Sequence, residues 1–256
     1  MGNLEEGATW EYSFDGGDTW NDGDGTSFEL PAGTYERGDV LVRQTDPAGN
    51  TSLVGSLPPV TIDLEIPAAP VAALATDTGV PGDGVTSDPT VQVAGLEDGT
   101  AWEYSLDGGE TWLDGTGTSF ELPAGSYEAG DIQVRQTDLA GNTSPVDTLP
   151  ATTIDILPPA APAAALATDT GTAGDGITSD ATVNVGGLEP GASWEYSTDG
   201  GDTWLDGAGT SFELPAGEYE TGDVLVRQTD LAGNTSQLGS LPAVTIDPSI
   251  PEAPTA

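Results

Sequence analysis

Cysteine, histidine and lysine are absent from this 256-residue chain, and arginine occurs only four times. Each absence removes a class of chemistry. Without cysteine or histidine there is no disulfide, no thiolate metal site, no imidazole base and no serine triad of the usual kind. Zinc, copper and iron are poorly served by what remains. The chain has no run of about 18 apolar residues, so nothing in it reads as a membrane-spanning helix. Its first residues, MGNLEEG, carry neither a basic region nor an apolar stretch and do not read as a signal peptide.

Acid dominates what is present. Forty-three Asp and Glu give a net charge of -39. Such a chain repels itself when compact, so it needs cations or high salt. It lacks the basic surface that a nucleic-acid partner requires, and its charge argues against membrane insertion or binding to an anionic bilayer. The available metal ligands are oxygens, which suit calcium or magnesium.

The chain is built from repeats. WEYSFDGGDTW begins at Trp10, WEYSLDGGETW at Trp102 and WEYSTDGGDTW at Trp194, ninety-two positions apart each time. VRQTD recurs in the same frame from Val42, Val134 and Val226, followed by AGNTS. A unit of this length exceeds a solenoid turn and should carry its own core. The expected organisation is an incomplete copy over 1–66, full copies over 67–158 and 159–250, and the beginning of another over 251–256. The first copy has no equivalent of residues 67–92 and thus no A or B strand, which predicts an open edge and an exposed core. It looks like a segment of a longer array.

Within a repeat, short alternating stretches are punctuated by Gly, Pro, Asp and Asn, and no helical period appears. Strands are expected near 71–76 (A), 90–95 (B), 101–106 (C), 118–122 (D/E), 127–136 (F) and 149–156 (G). About seven strands in such a unit indicate an all-β fold of tandem Ig-like β-sandwiches, here expected to form an extended rod with stiff, proline-rich joints. Trp102 and Tyr104 should face the core and Glu103 water, and LPAGSY at 122–127 resembles a tyrosine corner. SLDGGETW at 105–112 fits the Asp-box pattern, read as a hairpin in which Asp107 bonds backbone N–H groups and Trp112 packs. Arg43, Arg135 and Arg227 are expected in salt bridges within their own domains, and the NTS triplets in turns. Paired carboxylates are too common here to indicate a glycosidase, and near-identical tandem copies argue against an enzyme.

One acidic stretch stands out. Residues 77–88 read DTGVPGDGVTSD and residues 169–180 read DTGTAGDGITSD. The length and terminal aspartates resemble an EF-hand loop, but Gly79, Pro81 and Asp88 stand where that loop needs oxygen ligands at its third and fifth positions and a bidentate Glu at its twelfth. A cation would have to borrow oxygens from elsewhere. In an Ig-type sandwich the A–B loop and the end of strand G share one pole, and the B–C and F–G loops share the other. Asp77, Asp83, Asp88 and Asp155 of one copy should therefore meet Glu189, Asp230 and Asn234 of the next. Calcium tolerates such an irregular oxygen set better than magnesium.

The acidic loop, the YS-x-DGG-x-TW hairpin and GDIQVRQTDLAGNTS at 130–144 together resemble the bacterial Ig-like repeats of giant surface adhesins of the type I secreted kind. That resemblance implies an extender: beads, stiffened by calcium at their joints, that hold a terminal adhesive domain away from the cell. It implies an extracellular, cell-surface location and a part in adhesion or biofilm formation. The implied partners are calcium ions, neighbouring repeats of the same chain and other copies in a filament. By position it implies Asp63, Asp77, Asp83, Asp88 and Asp155 as calcium ligands, with Asp169, Asp175, Asp180 and Asp247 in the third copy. The alternative is a module that binds glycan or protein through its loops.

Overall fold

The structure is a computed structural model that describes residues 2–254. The chain falls into two compact units, residues 1–68 with 97–101 and 136–145, and residues 69–96 with 102–135 and 146–256. Every regular element among the described residues is a β-strand.

The third copy, wholly inside the second unit, is a β-sandwich. One sheet runs Leu205–Asp206, Ser193–Ser197, Leu225–Thr229, Gly239–Ser240. The other side has Ala163–Leu166, Thr182–Gly186 and Ser211–Glu213 in one sheet, and Ile177–Thr178, Val244–Ile246 and Gly217–Tyr219 in another. TVNVG alternates as a half-buried strand should: Val183 and Val185 point inward and Asn184 outward. They meet Trp194, Val226, Phe212, Leu241 and Ile246 in one core. Val183 and Val226 are wholly buried, which stabilises by about 1.5–3 kcal/mol each. Trp194 lies directly on the backbone of Gly207, where an added Cβ would sit 2.1 Å from the ring.

The rest of the second unit repeats these pairings. Thr90–Ala94 lies between Val71–Leu74 and Ser119–Glu121, and Thr152–Ile154 pairs antiparallel with Gly125–Tyr127 and parallel with Val85–Thr86. Its core gathers Val91, Val93, Trp102, Phe120, Ile132 and Ile154.

Two expected strands are broken. The stretch 127–136 divides into Gly125–Tyr127 and Gln133–Thr137, which belong to different sheets. Between them Asp131 closes a turn, its carboxylate accepting from Glu128 N–H (2.8 Å). Tyr127 does donate back to Pro123 O (2.9 Å), as a tyrosine corner does, but it ends a strand instead of opening one. The stretch 149–156 is strand only at Thr152–Ile154; Asp147–Thr148, ahead of Pro150, which has no N–H to give a ladder, pairs in the other sheet. The short Val85–Thr86 strand inside the acidic loop was not expected.

In the first unit, Thr9–Ser13 pairs with Leu41–Thr45 and Asn21–Asp22, and Gly33–Tyr35 with Val60–Ile62. Residues 27–29 form no strand, whereas their equivalents Ser119–Glu121 and Ser211–Glu213 do. Both of those pair with a B strand that the first copy lacks. Phe28 is half-buried instead of buried, and it stacks on Tyr12 at 4.7 Å beside Phe14. Of the residues read as the start of a further copy, 251–254 carry no strand and 255–256 lie outside the described residues.

Candidate functional site: the joints and their carboxylates

Each full copy is pinned at its B–C and F–G pole by a buried glutamine. Gln228, wholly buried, accepts from Glu189 N–H (2.8 Å) and donates to Ala160 O (2.7 Å) and Gly187 O (3.0 Å). It thereby ties the linker before the third copy to the pole of that copy. Gln136 does the same in the first unit, bonding Glu97 N–H (2.9 Å) and Ala68 O (2.8 Å). Sequence reading passed over these glutamines. Their signal is the unvarying Gln in VRQTD, next to the recurring arginine.

The first unit contains an acidic cleft of about 280 Å³. Asp63 and Glu65 line it from the linker, Glu97 and Asp98 from the B–C loop of the second copy, and Asp138 from its F–G loop. No arginine is among its lining residues. Glu97 accepts from Ala68 N–H (2.9 Å), and Asp63 O accepts from Asn142 Nδ2 (3.1 Å). Sequence reading named the third-copy counterparts Glu189 and Asp230 and left Glu97 and Asp138 unnamed, although the repeat period leads from one pair to the other. Glu65 and Asp98 have no acidic counterparts, because Leu157 and Pro190 stand there.

The second unit joins the second and third copies differently. Thr78 Oγ1 donates to Ala232 O (2.5 Å), Val80 N–H to Leu231 O (3.3 Å) and Asn234 Nδ2 to Asp155 O (2.8 Å). The A–B loop of one copy thus rests on the F–G loop of the next. The contacts are made by a hydroxyl, an amide and main-chain groups, with no carboxylate among them.

The aspartates themselves mostly shape turns. Asp63, Asp83, Asp88, Asp155, Asp175, Asp180 and Asp247 each accept a bond from the N–H two residues on, at 2.9 to 3.1 Å, the Asx-turn pattern. Asp88 is held below the usual carboxylate range by the hydroxyl and N–H of Thr90, and Asp180 by the N–H and hydroxyl of Thr182. Asp230 uses both oxygens on Asn234, accepting from its N–H (2.8 Å) and its Nδ2 (3.0 Å). Asn234 Nδ2 therefore has two acceptors, which fixes its amide orientation. The Glu189 side chain is exposed.

Asp77 and Asp169 are different. Each gives one oxygen to the N–H of Gly82 or Gly174 (2.6 Å), and the other oxygen is buried without a hydrogen-bond partner. Among the described residues no group of three or more acidic side chains is close enough to hold a metal ion directly.

The hairpin and its arginine form a second recurring cluster. Asp107 accepts from Ser105 Oγ (2.7 Å), Thr111 N–H (2.8 Å) and Thr111 Oγ1 (2.5 Å), and its pKa is lowered to about 2, chiefly by Thr111. Arg135 pairs with Glu103 (2.9 Å) and lays its guanidinium 3.8 Å from the Trp112 ring centre. Its partner is the residue expected to face water and not the aspartate that follows it in sequence.

No family model and no curated protein matches the chain. Among solved structures it is similar to the fibronectin(III)-like modules of Clostridium thermocellum CbhA, at 10% identity and a TM-score of 0.37 over 77% of this chain and 98% of that one. It is also similar to domains A168–A170 of titin, at 14% identity and a TM-score of 0.34 over 94% of this chain and 89% of that one.

Proposed function

We propose that the chain is a non-catalytic structural spacer, a run of β-sandwiches in a bacterial cell-surface adhesin or extracellular filament, stabilised by calcium. The observation that carries the calcium reading is the acidic cleft of the first unit. Five acidic residues from three segments line one space of about 280 Å³, and no cation of the chain is among its lining residues. Like charges so gathered repel unless neutralised, and oxygens in an irregular array suit calcium. Calcium would be held there partly through water, with Asp63, Glu65, Glu97 and Asp98 supplying the negative charge, since Asp138 already spends both oxygens on Asn142. The buried, unpartnered oxygens of Asp77 and Asp169 offer one further anchor in each full copy. Bound calcium would supply positive charge at places where the chain has none.

Calorimetric titration of chelator-stripped protein with calcium tests this. Saturable binding is expected, with magnesium weaker. The double variant Glu97→Gln, Asp98→Asn should lose the site of the first unit and keep the others. Heat no greater than that of matched sodium chloride would remove calcium from the account. Surface labelling of intact cells with an antibody to the chain tests the location.

A further inference from the structure

The two joints offer an internal comparison. The F–G loop reads DLAGN in the second and third copies. In the second copy Ala140 and Leu139 are exposed, Leu139 at 91%, and an added Cβ on Gly141 would meet nothing within 4 Å. In the third copy Ala232 is 1% exposed and Leu231 39%, and a Cβ on Gly233 would lie 2.9 Å from Gly79 N. The difference is the A–B loop seated on the third copy. The seat is tight from the other side as well. A Cβ on Gly79 would lie 2.0 Å from Leu231 O and 2.7 Å from Gly233 N, whereas one on Gly171, the same position in the third copy, would meet nothing. Gly79 and Gly171 share the left-handed backbone, at φ of +75° and +81°.

We infer that the joint between the second and third copies is a direct latch whose register is set by Gly79 against Gly233 and which holds without a metal ion. Thr78 Oγ1, Val80 N–H and Asn234 Nδ2 are its three donors, and all three acceptors are main-chain carbonyls. None of the six groups titrates or ligates in making the bond. The recognition pairs a Thr-Gly corner with an Ala-Gly-Asn turn, and both halves recur in the repeat. The inference does not depend on calcium binding elsewhere: calcium could fail to bind at all and the latch would stand.

The absence of cysteine makes the test clean. Spin labels on Glu121→Cys and Glu218→Cys, exposed positions on either side of the joint, report the spread of distances by double electron–electron resonance in excess chelator. A single narrow distribution is expected for the parent and for Gly171→Ala, and loss of that narrow peak for Gly79→Ala. Because the two glycines share the same backbone, their comparison separates the contact from backbone strain. Gly233→Ala against Gly141→Ala repeats the comparison from the other side of the joint. A broad parent distribution that narrows only on adding calcium would overturn the inference. So would a narrow distribution in Gly79→Ala, or equal broadening in Gly171→Ala.

Discussion

Single residues carry much of the fold's definition. Gly207 is one, because Trp194 occupies the space where any side chain would start. Gly207→Ala should destabilise by about 1–3 kcal/mol through overpacking, read as a lower urea midpoint with an unchanged slope. The hairpin aspartates make a second prediction. Asp107 and Asp199 titrate near 2 in the folded chain, below the ordinary aspartate range, held there chiefly by the hydroxyls of Thr111 and Thr203. A depressed acid contributes stability that is present above its unfolded pKa and lost as pH falls through the folded one. The hairpin should therefore keep its bonds from neutral pH to about 4 and give them up between 4 and 2. Carboxyl carbon shifts in an NMR titration would show midpoints near 2, and midpoints near 4 would mean the bonds are not formed in solution. That Asp107 would bond backbone N–H groups was legible from the Asp-box spacing. That the Thr111 and Ser105 hydroxyls would add to it was not, because side-chain pairs depend on how the turn closes.

Elements are where sequence reading was strongest and where it failed in an instructive way. Strands with strict alternation, such as TVQVA and AWEYS, lie where alternation placed them. The long F and G strands did not survive, because a hydrophobic run states that residues are buried without stating against which sheet. Pro150 and the Glu128–Asp131 turn switch the chain between sheets, and the apolar pattern continues across the switch. The buried glutamine is the corresponding omission at the pole. Gln228→Leu would leave Glu189 N–H, Ala160 O and Gly187 O without their partner. Because Glu189, Ala160 and Gly187 are exposed residues whose lost partner water can replace, each bond is worth about 0.5–1.5 kcal/mol net, and the loss should exceed about 1 kcal/mol and fall mainly on the attachment of the linker. Hydrogen exchange should accelerate at Glu189 before it does in the core strand Thr182–Gly186. The arginine stack is smaller. With side chains about one-third exposed, the Glu103 pair and the Trp112 contact together are worth on the order of 1 kcal/mol. Arg135→Lys should lose most of it, because an ammonium cannot lie flat on the indole.

At the scale of the whole molecule, charge dominates. A net charge of -39 on 256 residues must weaken the compact state, so the melting temperature should climb with sodium chloride before any specific ion is added. Calcium should raise it further at equal ionic strength, by adding about 2.7 kcal/mol of stability for each site at a hundredfold excess over Kd. If the two salts act equally at equal ionic strength, only screening is at work. The repeated character of the chain was plain from its period, and the all-β character from the short alternating stretches between turn residues. Which carboxylates gather was only half legible. The topological rule brought the linker together with the B–C and F–G loops, as seen at Asp63, Glu97 and Asp138. It could not foresee that Asp138 and Asp230 would each spend both oxygens on the asparagine four residues on, nor that the joint of the second unit would be made by a threonine and a glycine.

The scarcity of basic residues has a practical consequence for durability. Trypsin cuts after lysine or arginine and needs the surrounding backbone unfolded into its cleft. Three of the four arginines sit inside paired strands beneath a tryptophan. Arg37, exposed in the turn that follows Gly33–Tyr35, is the fourth. A brief digestion of the native chain should therefore nick it after Arg37 alone and leave everything beyond in one piece. Such a protein would persist where trypsin-like proteases are secreted.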